Sequence, residues 1–198
     1  MDSLTLGTVA VATVASAYMV AKRNLGSGQG GQGGQGGDDG QAAPAGPGAA
    51  NTPIEARHEK WAAPAAYAEM IERAERRHGL PARLLERLLY EESRYRAEII
   101  DGRVRSPAGA VGIAQFMPGT AREWNVDPFN PAQSIDGAGR YLAWLRGRLG
   151  GWREALAAYN WGIGNVQRRG LIAAPRETSR YVVNIISDVQ RATGAEIQ

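Results

Sequence analysis

The 198-residue chain contains no cysteine, which excludes disulfides, thiolate metal sites and a cysteine nucleophile, and leaves its redox compartment unmarked. Histidine is almost as scarce. His58 and His78 are too isolated to build a metal site with suitable partners, and no cofactor is expected. The Gly162-Ile163-Gly164 step has no strand before it, which removes a nucleotide-binding loop from consideration. Basic residues outnumber acidic ones only narrowly, 23 against 20. Nearly all of them are arginines that alternate with acids instead of forming a stripe, so nucleic-acid binding is not expected. A mild positive balance does suit an anionic polymer or an anionic lipid surface.

The first quarter of the chain is too biased in composition to join a core, which leaves about 145 residues, residues 54–198, for one ordinary domain. Leu4 to Ala21 runs LTLGTVAVATVASAYMVA without a charge and is closed by Lys22 and Arg23. As a helix it reaches roughly 27 Å, close to the thickness of a bilayer's hydrocarbon core. Three readings compete for residues 1–24: a transmembrane helix, a cleaved secretory signal ending at Ala15-Ser16-Ala17, and a buried helix of the domain. The transmembrane helix is the expectation. By the positive-inside rule Lys22 and Arg23 keep the following chain cytoplasmic. Residues 25–53 include GSGQGGQGGQGGDDGQAAPAGPGAA, a stretch with almost nothing to bury against the entropy of ordering it. It reads as a flexible tether with a root-mean-square reach of about 30 Å.

From Ile54 the pattern is helical. Helices are expected over Pro64–Arg77, from Pro81 onward, and over Pro118–Trp124, Pro131–Leu149, Trp152–Tyr159 and Thr178–Ala192. Between about Arg96 and Ala114, Gly, Pro and Asp interrupt any period, so a loop or small hairpin is expected there. The fold class is thus mainly α, with one irregular insert. In the helix after Pro81, Leu84, Leu85, Leu88 and Leu89 form an apolar stripe. Glu92 follows Leu85 by seven positions and lies only about 20° from it around the helix, whereas Glu91 is rotated off the stripe. A carboxyl at the end of a leucine face is partly desolvated, which favours its neutral form and makes it a candidate general acid. On geometry alone, such a glutamate is more often a boundary residue whose carboxylate reaches water.

Three motifs add to this. They are Glu92-Ser93-Arg94-Tyr95, Ser106-Pro107-Ala108-Gly109-Ala110-Val111-Gly112-Ile113-Ala114-Gln115-Phe116-Met117-Pro118-Gly119-Thr120-Ala121, and Ala158-Tyr159-Asn160-Trp161-Gly162. Together, from about Pro81 to Tyr181, the chain resembles the soluble lytic transglycosylase family, whose domain is similar to goose-type lysozyme. The resemblance implies a lysozyme-like helical domain that acts on peptidoglycan glycan strands. It implies Glu92 as the single catalytic carboxylate, followed by the small polar Ser93. Ser106 corresponds to the serine near the glycan's N-acetyl group, Gln115 to a glutamine lining the cleft and Met117 to its wall. Tyr159 and Asn160 correspond to the pair in the third motif, and Tyr181 is similar to a later cleft tyrosine. Each has a plainer reading too: Gln115 as a partner of loop backbone, Met117 and Tyr159 as core. The chain departs from the family in Arg96-Ala97-Glu98 and in the longer path from Ile99 to Arg105.

The implied reaction is cleavage of the MurNAc-GlcNAc β-1,4 bond with formation of a 1,6-anhydro ring. One rival is a hydrolase in which Glu98 or Asp101 acts as a second carboxylate. Another is a non-catalytic glycan-binding or structural component of a virion or secretion channel. A phage protein packaged in a virion and delivered into the host periplasm escapes the orientation conflict set by Lys22 and Arg23. A bacterial inner-membrane enzyme facing the periplasm is the alternative setting.

Overall fold

The computed structural model describes residues 60–198. The expected membrane segment at residues 1–24, the tether at residues 25–53 and the start of the domain lie outside the described residues. Among the described residues no helix is long and apolar enough to cross a membrane.

Eight α-helices and one 3-10 turn make up the described part: α1 Ala65–His78, α2 Leu84–Ser93, α3 Ala97–Ile100, α4 Pro118–Glu123, α5 Pro131–Leu149, α6 Trp152–Trp161, α7 Ile163–Arg169, the 3-10 turn Leu171–Ala173 and α8 Arg176–Thr193. No strand forms among these residues. The insert carries a single isolated antiparallel bridge, Val111 to Phe116, in place of a hairpin. It also carries α3, where a loop was expected. A second unanticipated helix, α7, follows Gly162.

Local chemistry explains most of the boundaries. Gly79 ends α1 in the left-handed conformation at φ 65°, and the Leu80 amide donates back to the Glu75 carbonyl at 2.9 Å, a stop that glycine permits without a Cβ clash. Asn130 caps α5 by accepting from the Gln133 amide, and Pro131 occupies the first turn, where a missing N–H is harmless.

The packing runs α1 on α5, α5 on α6, α6 on α8 and α8 on α2, with α1 also touching α2. α2 is therefore enclosed. Leu84, Leu85, Leu88 and Leu89 are each 0% exposed, and burying a leucine of this kind contributes about 1.5–3 kcal/mol. The enclosure extends beyond the leucine stripe, because Arg87 and Glu91 are buried as well. Glu91, rotated off the leucine stripe, accepts from Arg87 Nη1 at 2.8 Å, while Arg87 Nε donates to Asp188 of α8 at 2.8 Å. A buried charge is tolerated when it is paired and hydrogen-bonded.

Candidate active site

Four segments converge around the end of α2. Glu92 sits in its last turn, 8% exposed, and Ser93 beside it is fully buried. Ser93 Oγ donates to the Leu89 carbonyl at 3.1 Å and accepts from the Tyr95 amide at 3.2 Å. Its role here is to hold the helix end while the chain turns through left-handed Arg94 and Tyr95. Tyr95 reaches back to donate from Oη to the Glu86 carbonyl at 2.7 Å.

From α8, Tyr181 Oη donates to Glu92 Oε1 at 2.7 Å. This is a short hydrogen bond between two buried side chains 89 positions apart, and a bond to a carboxyl in such a setting fixes its orientation. Burial first, and the Glu92 charge second, push the Tyr181 phenol well above its ordinary value of 10. The same two causes act on Tyr159 of α6. Both phenols consequently stay protonated at neutral pH and act as donors. Tyr159 lies within electrostatic reach of Glu92, and its Oη donates to the Ala114 carbonyl at 2.8 Å. That bond ties α6 to the residue preceding Gln115.

Four residues of the insert are left-handed, Gly102, Gly109, Gly112 and Gln115, and the last two shape its end. Gly112 has φ 79°, and a Cβ there would lie 1.9 Å from the Pro128 carbonyl oxygen, so only glycine fits. Gln115 has φ 49°, which costs a non-glycine residue strain and is found where the surroundings enforce it. Its Nε2 donates to the Gly112 carbonyl at 2.9 Å, while its buried Oε1 has no hydrogen-bond partner. Such an orphan acceptor inside a polar site has a ready use in receiving a hydroxyl or amide from a ligand.

The remaining sequence candidates fall into place less directly. Ser106 Oγ accepts from the Ala110 amide at 2.7 Å and so braces its own turn. Met117 precedes α4, half-buried. Asn160 Oδ1 accepts from Thr178 Oγ1 at 2.8 Å. Thr178 was not singled out from sequence, although it lies three positions before Tyr181 and thus on the same face of α8. Glu98 and Asp101, the carboxylates of the insert, bind arginines of their own loop: Glu98 accepts from Arg96 at 2.6 Å and Asp101 from Arg103 at 2.7 Å. Backbone amides and these arginines hold both carboxyls below their ordinary range, the Glu98 amide acting on Glu98 and the Arg103 amide on Asp101.

This helical fold has a counterpart among solved structures. The crystal structure of the 70 kDa soluble lytic transglycosylase of Escherichia coli superimposes with a TM-score of 0.55 at 24% identity, over 69% of this chain and 25% of that one. At that identity the likeness is one of fold. The chain belongs to the transglycosylase SLT domain family, which matches residues 69–182. Among curated relatives, the membrane-bound lytic murein transglycosylase F 2 of Alkalilimnicola ehrlichii is 37% identical over 108 residues, 50% of this chain and 23% of the relative. The membrane-bound lytic murein transglycosylase F of Alteromonas mediterranea is 35% identical over 94 residues, 43% of this chain and 19% of the relative. The chain thus spans no more than about a quarter of the length of these relatives.

Proposed function

We propose that this protein is a peptidoglycan lytic transglycosylase that cleaves the MurNAc-GlcNAc β-1,4 bond and leaves a 1,6-anhydro-MurNAc end, with Glu92 as acid and base. The observation that carries this reading is the buried Glu92 carboxyl held by Tyr181 at 2.7 Å. Burial favours the neutral acid and a hydroxyl donor favours the anion, the two forms that the group must take in turn. Glu92 first protonates the glycosidic oxygen as the bond breaks. The resulting carboxylate then removes the proton from the C6 hydroxyl of the same sugar, and that oxygen closes on C1. Every proton is accounted for and no water is consumed. The oxocarbenium-like transition state needs a second source of electrons, which the N-acetyl carbonyl of the sugar supplies. In this reading the orphan Gln115 Oε1 and the amide of Asn160 hold the sugar, Ser106 meets its N-acetyl group, Met117 forms the cleft wall, and Tyr159 steadies the charge.

Hydrolysis by a second carboxylate is less well supported, because Glu98 and Asp101 are committed to Arg96 and Arg103. Mass spectrometry of muropeptides released from purified cell walls separates the two chemistries. Anhydro ends are expected, and reducing ends would favour the hydrolase. Loss of all release in Glu92→Gln is expected as well, and unchanged release would leave only the glycan-binding component.

The domain itself occupies residues 54–198 in this reading, joined by a tether at residues 25–53 to a membrane segment at residues 1–24. Two settings fit local wall opening of this kind. The charge pattern at Lys22 and Arg23 favours a phage virion protein delivered into the host periplasm. The alternative is a bacterial inner-membrane enzyme facing the periplasm, of which the relatives, described as membrane-bound, support only the membrane association.

A further inference from the structure

Of the three buried acids among the described residues that lie outside the chemistry above, Glu75, Glu86 and Glu91, the first caps a helix that is not its own. Glu75, on α1, is 6% exposed, and its carboxyl receives three backbone amides from the start of α2. Oε2 accepts from the Arg83 amide at 2.9 Å, and Oε1 accepts from the Leu85 amide at 2.9 Å and the Glu86 amide at 3.3 Å. The first amides of a helix have no partner within it, and a Ser, Thr, Asp or Asn at the preceding position normally supplies one. α2 has Arg83 there instead, left-handed at φ 68° and with no capping side-chain bond. A carboxylate from a different helix does the capping and, by the same bonds, ties α2 to α1.

We infer that Glu75 is a positioning residue for Glu92, setting the axial position of α2 and hence the seat of the Glu92 carboxyl against Tyr181. This rests on Glu92 being the catalytic acid. Leu85 and Glu92 are seven residues apart on one unbroken helix, roughly 10 Å along its axis. A helix of two to three turns moves as a unit, so slack at its first turn reappears at its last. The Tyr181 bond tolerates only a few tenths of an ångström, and misplacing a reacting group by about 1 Å can cost roughly a hundredfold in rate.

The cap is also sensitive to protons. Burial pushes the Glu75 carboxyl up from 4.5 to about 7, against the opposing pull of the amides of Arg83, Glu86 and Leu85. The charged and titratable groups around it are few. Arg83 and Glu86 pair with each other at 2.6 Å, and Tyr95 donates to the Glu86 carbonyl. Arg87 is engaged by Glu91 and by Asp188 of α8, and His78, one turn further along α1, meets Asp136 of α5. As an anion Glu75 presents acceptors to all three amides. Once protonated, one oxygen becomes a donor facing an N–H, and the cap loses a bond.

Glu75→Gln matches the neutral acid in shape and cannot ionise. On uncrosslinked glycan strands, the full-length variant is expected to show kcat roughly 3- to 10-fold below wild type at pH 8, KM within about twofold, and no step near neutral pH in its kcat profile. Glu75→Asp is expected to keep the step. In the wild-type chain, the amide protons of Arg83 and Leu85 should titrate by NMR with a midpoint near neutrality. That titration stands even if Glu75→Gln fails to fold. Superimposable wild-type and Glu75→Gln profiles, or amide protons that do not titrate there, overturn the inference. Full activity in Glu92→Gln would instead overturn the assignment of the acid, so the two failures are told apart.

Discussion

Tyr181 contributes one hydroxyl to Glu92 and a ring to the core, and Tyr181→Phe separates the two. The ring stays, so folding changes little, while the carboxyl loses a bond of the kind worth about 1.5–3 kcal/mol when one partner is charged. Roughly a 10- to 100-fold fall in kcat is expected with KM changed by at most a few fold, read by steady-state release of soluble fragments from cell walls. A fall confined to KM would place Tyr181 in substrate binding instead. Gly112 tests the insert. Gly112→Ala puts a methyl 1.9 Å from the Pro128 carbonyl oxygen at a positive φ, which forces the loop bearing Gln115 to move. We expect turnover to fall at least tenfold while the far-UV circular dichroism of the helices stays intact, because the strain lies in the insert and not in the helical core.

α2 is the element on which the molecule turns, and its outer side is held by charge. Arg87 lies between Glu91 on its own helix and Asp188 on α8, which also binds Arg191. Removing the central cation breaks a buried ion pair, Arg87 with Glu91, and the link to Asp188 with it, a change that costs about 3–5 kcal/mol in comparable sites. Arg87→Met keeps much of the hydrocarbon length and is expected to lower the thermal midpoint by roughly 10 °C, seen by calorimetry. A shift of only a degree or two would mean that the pair is nearly neutral in net energy. This bridge also marks where sequence reading stops. The leucine stripe and the place of Glu92 beside it follow from helical geometry, because they depend on neighbours within one helix. Arg87 and Asp188 are 101 positions apart, and no periodicity in either helix announces the other. α3 and α7 escaped for a related reason. α3 is four residues whose Ile99 and Ile100 are buried by tertiary packing, and α7 hides behind Gly162 and Gly164, which read as loop punctuation. The bond from Tyr159 to the Ala114 carbonyl was likewise out of reach, since main-chain partners leave no mark in residue types.

At the scale of the whole chain, the same Glu75 that orders α2 should leave a signature in stability. Its carboxyl is shifted from 4.5 to about 7 by burial, so between those values the folded chain holds a proton that the unfolded chain has already released. Stability must then fall as pH rises across that window, by on the order of 3 kcal/mol if burial alone sets the shift, and level off above it. Glu98 and Asp101 act with the opposite sign, since their lowered values make the folded state lose support only as pH falls below their ordinary range. They are exposed and leave the neutral window to Glu75. Urea unfolding of wild type and Glu75→Gln, measured from about pH 4.5 to pH 8, should therefore give curves that diverge, the variant gaining on wild type as pH rises. Parallel curves would mean that Glu75 ionises as an ordinary surface acid. Divergence, together with a slower variant at pH 8, would show an ionised cap that costs the fold stability while fixing the helix that carries the acid. That is the exchange of stability for activity seen where a site needs a strained or charged support.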